Sequence, residues 1–318
     1  MARPDLSAVR AAAQRIAPYV HRTPVFTCQT LNQMSGATLY FKCENLQKIG
    51  AFKIRGASNA VLQLSDEQAR QGVATHSSGN HAAALALAAR NRGIPAYVVM
   101  PENAPAVKRA AVAGYGAEII SCPATLEARE TTLQAVIERT GAYVVHPYND
   151  HAVISGQGTA VLELLDDPVL KEQALDSVLA PVGGGGLLSG TALAAKALQP
   201  TLQVFGAEPL QADDAYRSLQ AGRIIPPDNP NTIADGLRTA LGDLTFPIIQ
   251  DQVSAIITVT EAQIVQAMRL LWERMKLLVE PSGAVPLAAV LAAPERFQGQ
   301  RIGLILSGGN VDLDHLPW

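Results

Sequence analysis

Short apolar runs bounded by glycine and proline recur along this chain, and stretches of helical period lie between them. "ATLYFKCE" (37–44), "GVATHSS" (72–78), "AYVVMP" (96–101), "AEIISC" (117–122), "AYVVHP" (142–147), "SVLAPVG" (177–183), "QVFGAEP" (203–209), "AIITVT" (255–260) and "RIGLILSGG" (301–309) are the clearest of them. Runs this short and this continuously apolar read as strands buried on both faces. "HAAALALAARNRG" (81–93) and "AQIVQAMRLLWERMK" (262–276) instead carry helical periodicity. The alternation predicts an α/β fold of open, mostly parallel sheets flanked by helices. No repeat or long linker interrupts it, and the Pro-rich "IIPPDNPN" (224–231) reads as a surface loop.

Composition narrows the class. With 318 residues, 48% hydrophobic and 17% charged, the chain can bury a sizeable core as one large domain or two. A net charge of -3 without any basic block argues against a nucleic-acid partner. No apolar run reaches membrane-spanning length, and arginines break up the N-terminal "MARPDLSAVRAAAQRIAPYV", which reads as an amphipathic helix rather than a signal peptide. Cys28, Cys43 and Cys122 show neither metal spacing nor a disulfide framework, so a cytoplasmic protein is expected.

In parallel sheets, chemistry gathers where strands run into helices. "LAPVGGGGLLSG" (179–190) places Gly183, Gly184, Gly185 and Gly186 at such a junction. Glycines allow close backbone approach, and amides at a helix start favour a phosphate; the plain alternative is a flexible turn. "THSSGNHAAALALAA" (75–89) groups Ser77, Ser78, Gly79, Asn80 and His81 at another. Taken alone, that stretch suits a helix cap, and His81 a structural histidine. "LILSGGNVDL" (304–313) ends the last strong strand on Ser307. Glu208 and Asp214 in "GAEPLQADDAY" (206–216) suit a hard cation as well as Asp213 or Asp214 suits a cap for the next helix. Lys53 in "IGAFKIRGASNA" (49–60) is a lysine among apolar neighbours, where an ammonium is costly to desolvate. A lysine amine, a glycine phosphate loop and a ring-facing group together fit pyridoxal phosphate chemistry.

"AFKIRGA", "SSGNHAA", "GGGG", "GAEPLQADD", "TIADGLRT", "VEPSGA" and "LSGGNVDL", in this order over nearly the whole chain, closely resemble the serine/threonine dehydratase and serine racemase family. These are fold-type II, tryptophan synthase β-like, pyridoxal phosphate enzymes. The resemblance implies a large cofactor-binding domain at 1–67 and 147–318 with a small substrate-binding domain at 68–146 inserted into it. It implies Lys53 as the Schiff-base lysine and Cα base, Phe52 beside the pyridine ring and Gly183 to Gly186 on the phosphate. Asn80 would bond the ring 3′-oxygen, and Ser307 would face the pyridine nitrogen. Ser77, Ser78, Gly79, Asn80 and His81 would line the substrate carboxylate site, with Ser78 where racemases place an opposite-face acid/base. Glu208, the Ala212 carbonyl and Asp214 match the family's divalent cation site, for Mg²⁺ or else Ca²⁺ or Mn²⁺. A homodimer is also a family expectation.

The implied activity is dehydration of a β-hydroxy amino acid to a 2-oxo acid and ammonia; amino-acid racemisation is the alternative, and a silent amino-acid-binding homologue a remote one. Arg129 in "LEARETT" and Arg238 with Thr239 in "ADGLRT" are expected to receive a second carboxylate, which would favour 3-hydroxyaspartate over serine or threonine; solvated or paired arginines are the alternative. Ala51 and Ala83 depart from the family's usual serine and glutamine, and "HPYND" (146–150) from "HPFDD", so Tyr148 and Asn149 are expected to form a different pocket wall. The sequence shows nothing after "LSGGNVDLDHLPW", and a member without the regulatory domain of feedback-controlled threonine dehydratases is expected.

Overall fold

Each of the nine apolar runs becomes a strand in the computed structural model, which describes residues 3–170 and 173–318. The strands are β1 (Val25–Phe26), β2 (Thr38–Cys43), β3 (Val73–His76), β4 (Ala96–Pro101), β5 (Glu118–Cys122), β6 (Tyr143–Val144), β7 (Ser177–Pro181), β8 (Gln203–Pro209), β9 (Ala255–Val259) and β10 (Arg301–Leu306). They form one sheet ordered β1-β2-β10-β7-β8-β9 and a second ordered β5-β4-β3-β6. Every pairing is parallel except β1 with β2. The fold is therefore α/β with two open, mostly parallel sheets. Only β1 lacked an apolar run to announce it, being two residues long.

The continuous apolar character follows from burial on both faces. Leu39, Phe41, Leu179, Ile302, Leu304 and Leu306 pack into one core layer. Tyr40, Val178, Ala180 and Ile305, their neighbours in sequence, pack into the layer on the opposite face. Side chains alternate at period two, and neither face is left to water. The segment 224–231 is a loop, as its prolines require, and the N-terminal amphipathic stretch forms the helix Leu6–Ile16 capped by Asp5. The stretch at 262–276 is α-helical over Glu261–Leu270 and widens into a π-turn, Leu271–Met275, before Lys276 adopts a left-handed conformation at φ 59°. Among the described residues no helix is long and apolar enough to cross a membrane.

Three helices of the larger sheet fix the site. A Cβ on Gly156 of the helix His151–Leu165 would collide with the backbone of Arg55 and Gly56 in the helix Lys53–Gln63. A Cβ on Gly190 of the helix Gly186–Leu198 would likewise collide with Ile154 and Gly158. The middle helix thus holds the lysine helix and the glycine-loop helix at backbone contact. Beneath the first of these lies a buried ion group. Arg55 meets Glu44 at 2.7 Å and Glu163 at 2.7 Å, and Lys42 meets Glu163 at 2.6 Å.

Candidate active site

The segment that carries Lys53 is stitched to the end of β10. Ala51 forms an antiparallel bridge with Gly308, the Phe52 amide donates to the Ser307 carbonyl at 3.0 Å, and the Gly309 amide donates to the Gly50 carbonyl at 2.9 Å. Ala51 is wholly buried in that bridge, which accounts for a small residue there. Lys53 is the first residue of its helix, and its Nζ donates to the Pro147 carbonyl at 2.8 Å. The Phe52 ring centroid lies 5.2 Å from the same nitrogen. Lys53 is only half-buried, yet the protein around the amine desolvates it and pulls its pKa down to about 8, against the opposing pull of the Glu280 carboxyl. The anomaly in the sequence is thus an amine poised to lose its charge near neutral pH.

The glycine run is no flexible turn. Gly183 to Gly186 are buried, and Gly185 adopts φ +88°, which a side chain would strain. Thr245 Oγ1 donates to the Gly184 carbonyl at 2.8 Å and accepts from the Gly242 amide at 2.9 Å. The Tyr148 ring lies so close over Gly184 that a Cβ there would sit against it. Gly183 borders Leu237 and Thr239. The helix that follows has no side-chain cap, so its leading amides remain for a phosphate, and the residues fit that group. Asn149 is not a pocket wall: its side chain donates to Asp243 at 2.6 Å and accepts from the Leu244 amide at 2.9 Å. Its role is to pin the loop that carries Thr245.

The turn at 77–81 departs from the capping reading. Gly79 occupies the N-cap of the helix Asn80–Arg92, no side chain caps it, and Ser77 Oγ accepts from the Gly79 amide at 3.3 Å. Ser77, Ser78, Gly79 and Asn80 are half-buried at this uncapped helix start, an arrangement suited to a carboxylate. Asn80 Nδ2 donates to Glu280 at 2.9 Å, and Asn80 Oδ1 accepts from Asn310 Nδ2 at 2.8 Å. Glu280 also accepts from the Asn310 amide at 3.1 Å. Burial raises the Glu280 pKa to about 8, with Asp235 adding to the rise and Lys108, Asn80 and Asn310 opposing it. Sequence reasoning passed over Glu280 within "VEPSGA", where a carboxylate ahead of a helix reads as a cap; here it makes no cap bond and turns into the site. His81 Nε2 donates to the Val145 carbonyl at 2.9 Å, and burial, with the Lys53 charge adding to it, lowers its pKa to about 3. His81 is therefore a neutral, buried histidine that ties the helix to the end of β6.

Of the two candidate arginines, Arg238 gives both Nε and Nη2 to the Thr232 carbonyl of its own loop, and it is exposed together with Thr239. Arg129 stands on the helix Leu126–Thr140 near His76 and Cys122, whose pKa values respond to its charge after the larger effect of burial. Its Nε is buried and has no partner among the described residues.

Neither Asp213 nor Asp214 caps the helix Asp214–Ala221. Glu208 does so from β8, accepting from the Ala215 amide at 2.9 Å and the Tyr216 amide at 2.8 Å. Asp213 pairs with Arg217 at 2.7 Å. Both carboxylate oxygens of Asp214 are buried without a partner among the described residues, and burial raises its pKa to about 7 and that of Glu208 well above the carboxylate range. Two buried, undercompensated carboxylates beside the buried Ala212 suit an oxygen-liganded cation. Among the described residues no three His, Cys, Asp or Glu side chains converge, so backbone carbonyls would have to complete such a set.

Comparison with known proteins agrees with this chemistry. The chain is 52% identical over 315 residues to the beta-hydroxyaspartate dehydratase of Paracoccus denitrificans, covering 99% of each protein. It is 47% identical over 311 residues to the L-threo-3-hydroxyaspartate ammonia-lyase of Saccharomyces cerevisiae, covering 98% of this chain and 94% of that one. The crystal structure of serine racemase from Dictyostelium discoideum superposes with a TM-score of 0.92 at 51% identity, over 97% of this chain and 99% of that one. The profile of the pyridoxal-phosphate dependent enzymes matches residues 16–308. An amine with a depressed pKa, a buried glycine loop ahead of an uncapped helix and this likeness over almost the entire length make the chain a member of the pyridoxal-phosphate dependent enzyme family.

Proposed function

We propose that the protein is a pyridoxal-phosphate-dependent dehydratase that converts a β-hydroxy amino acid, 3-hydroxyaspartate before serine or threonine, to a 2-oxo acid and ammonia. The observation that carries this reading is the Lys53 amine, desolvated to a pKa of about 8 in the same site as the uncapped turn at 77–80. Bound pyridoxal phosphate supplies an electron sink that acidifies the substrate Cα–H. Gly183 to Gly186 would hold the phosphate through backbone amides, and Phe52 would cover the ring. Asn80 and Ser307 are the residues that would bond its polar edge. The Ser78 and Asn80 amides and the helix dipole would bind the substrate α-carboxylate. Lys53 Nζ, neutral in a useful fraction at pH 7 to 8, takes the Cα proton.

The identity to hydroxyaspartate-processing relatives supports the dicarboxylate preference, and Arg129, with its buried Nε unpartnered, is the residue we assign to the second carboxylate. Because Arg238 is engaged with Thr232, its share in that recognition is secondary. Glu208, Ala212 and Asp214 are assigned to a divalent cation, Mg²⁺ first and Ca²⁺ or Mn²⁺ otherwise. The two sheets support division into a large domain at 1–67 and 147–318 and a small one at 68–146. Free cysteines accord with a cytoplasmic location, and a homodimer completes the proposal.

A second reading, racemisation, is favoured by the likeness to serine racemase and by Ser78 in the half-buried turn. One experiment separates the two. The purified protein is incubated with 3-hydroxyaspartate stereoisomers, L-serine and L-threonine, and ammonia, 2-oxo acid and D-amino acid are quantified. Dominant 2-oxo acid from hydroxyaspartate is the expected result; a pool dominated by D-serine would reverse the ranking.

A further inference from the structure

The contact between Lys53 and Pro147 is held in place from behind. His146 begins the bend that follows β6, and its Nδ1 accepts from the Asn149 amide at 2.9 Å and the Tyr148 amide at 3.4 Å. A ring nitrogen that accepts from amides carries no proton, so the imidazole is neutral and Nε2 bears the hydrogen. Burial lowers its pKa to about 4, with His76 and Lys53 adding to the fall and Asp243 opposing it, so this tautomer persists at neutral pH. The ring also meets Tyr148 edge-on at 4.6 Å between centroids, which fixes its plane.

The Tyr148 N–H belongs to the same peptide as the Pro147 carbonyl. That peptide is trans, so its N–H and C=O point in opposite directions within one plane. Drawing the Tyr148 amide toward His146 therefore directs the Pro147 oxygen the other way, where Lys53 Nζ meets it at 2.8 Å.

We propose that His146 is a positioning residue for the reaction: through the Pro147–Tyr148 peptide it orients the carbonyl that holds the Lys53 amine for proton transfer. The carbonyl accepts from Nζ when the amine is free and from the ammonium once it has taken a proton. It therefore steadies the nitrogen on both sides of the transfer without touching the substrate. This inference rests on Lys53 being the acting amine, and the experiment keeps the two claims apart.

His146→Asn places an acceptor oxygen near the position of Nδ1, whereas His146→Gln places it near Nε2, out of reach of the two amides. Both variants and Lys53→Ala are prepared as full-length protein with pyridoxal phosphate, and kcat, KM, the visible cofactor band and thermal unfolding are measured. His146→Gln is expected to lose about 10²-fold in kcat, the usual scale for a reacting group held out of place, with KM, cofactor band and melting temperature retained. His146→Asn is expected to recover most of that loss. Equal losses in the two variants, or a glutamine variant more active than the asparagine one, would overturn the proposal, the latter by placing the function at Nε2. Turnover by Lys53→Ala would instead overturn the assignment of the amine.

Discussion

Arg55 and Glu44 meet at 2.7 Å with neither side chain exposed to solvent, two residues along the helix from Lys53. Burial alone would raise the Glu44 pKa, but the Arg55 guanidinium and its hydrogen bonds outweigh it and hold the carboxyl below its usual value. Arg55 also donates to Thr159 at 3.1 Å and to both oxygens of Glu163, so its removal strands Glu44 and leaves Glu163 to Lys42 alone.

Arg55→Met is therefore expected to destabilise the protein by about 3–5 kcal/mol, the cost of leaving a buried charge uncompensated. Urea unfolding at pH 7 checks it. The sign with pH also follows. Because the folded-state pKa of Glu44 is depressed, its contribution is present above the unfolded carboxylate value and is lost as pH falls through the folded one. A variant no weaker than an exposed pair would predict, about 1 kcal/mol or less, would mean that water reaches the group.

Gly185→Ala tests the phosphate loop. Its φ of +88° costs a residue with a Cβ about 1–2 kcal/mol, and that Cβ would also press on Leu241, Thr245 and Ile249. The expected outcome is weakened retention of pyridoxal phosphate, read as loss of visible absorbance on dialysis, while the far-ultraviolet circular dichroism stays native. Full retention of the cofactor would remove the loop from the phosphate site.

Much of this architecture was legible before the structure, and the reason is physical. Leu39, Leu179 and Leu304 lie on strands buried on both faces, so hydrophobicity alone marked them. Lys53 and the Gly183–Gly186 run stood out because their residue types conflict with an ordinary core or connection. The rest is joined by distant parts of the chain, which no local pattern encodes. Glu280 meets Asn80 across 200 positions, and Thr245 reaches Gly184 across 61. The capping alternative fails for the same reason: Asp213 and Asp214 have the expected type and place, but Glu208 arrives from β8 and takes the amides.

Asp214 yields a pH-dependent prediction for the cation. Its folded pKa is raised to about 7, so the stability linked to it is fully present below the unfolded value near 3.9 and is lost as pH rises through 7. A divalent cation bound at the proposed site would compete with that proton and reverse the loss. Adding Mg²⁺ is expected to raise the melting temperature at pH 8 and to do little at pH 5, and Asp214→Asn should abolish the difference. An equal shift at both pH values, or one that survives in the variant, would place the ion elsewhere.

Glu280 gives the opposite experiment, in which removing a charge flattens the response to pH. Burial raises its pKa to about 8, and Asn80 Nδ2 at 2.9 Å and the Asn310 amide at 3.1 Å do not compensate the desolvation. An acid whose folded pKa lies above its unfolded value, near 4.3, stabilises most below that value and loses its contribution as pH climbs through 8. Glu280→Gln cannot ionise, so it forfeits the dependence on pH. It also keeps only one acceptor oxygen, so either Asn80 Nδ2 or the Asn310 amide loses its partner, a cost of about 1 kcal/mol that is uniform in pH. The variant should therefore melt slightly below the parent at pH 5, and the gap should close or invert by pH 9. Thermal unfolding across that range, with cofactor bound, reads the slope directly. Parallel curves for the two proteins would show that Glu280 already carries its charge across that range and that burial does not hold it protonated.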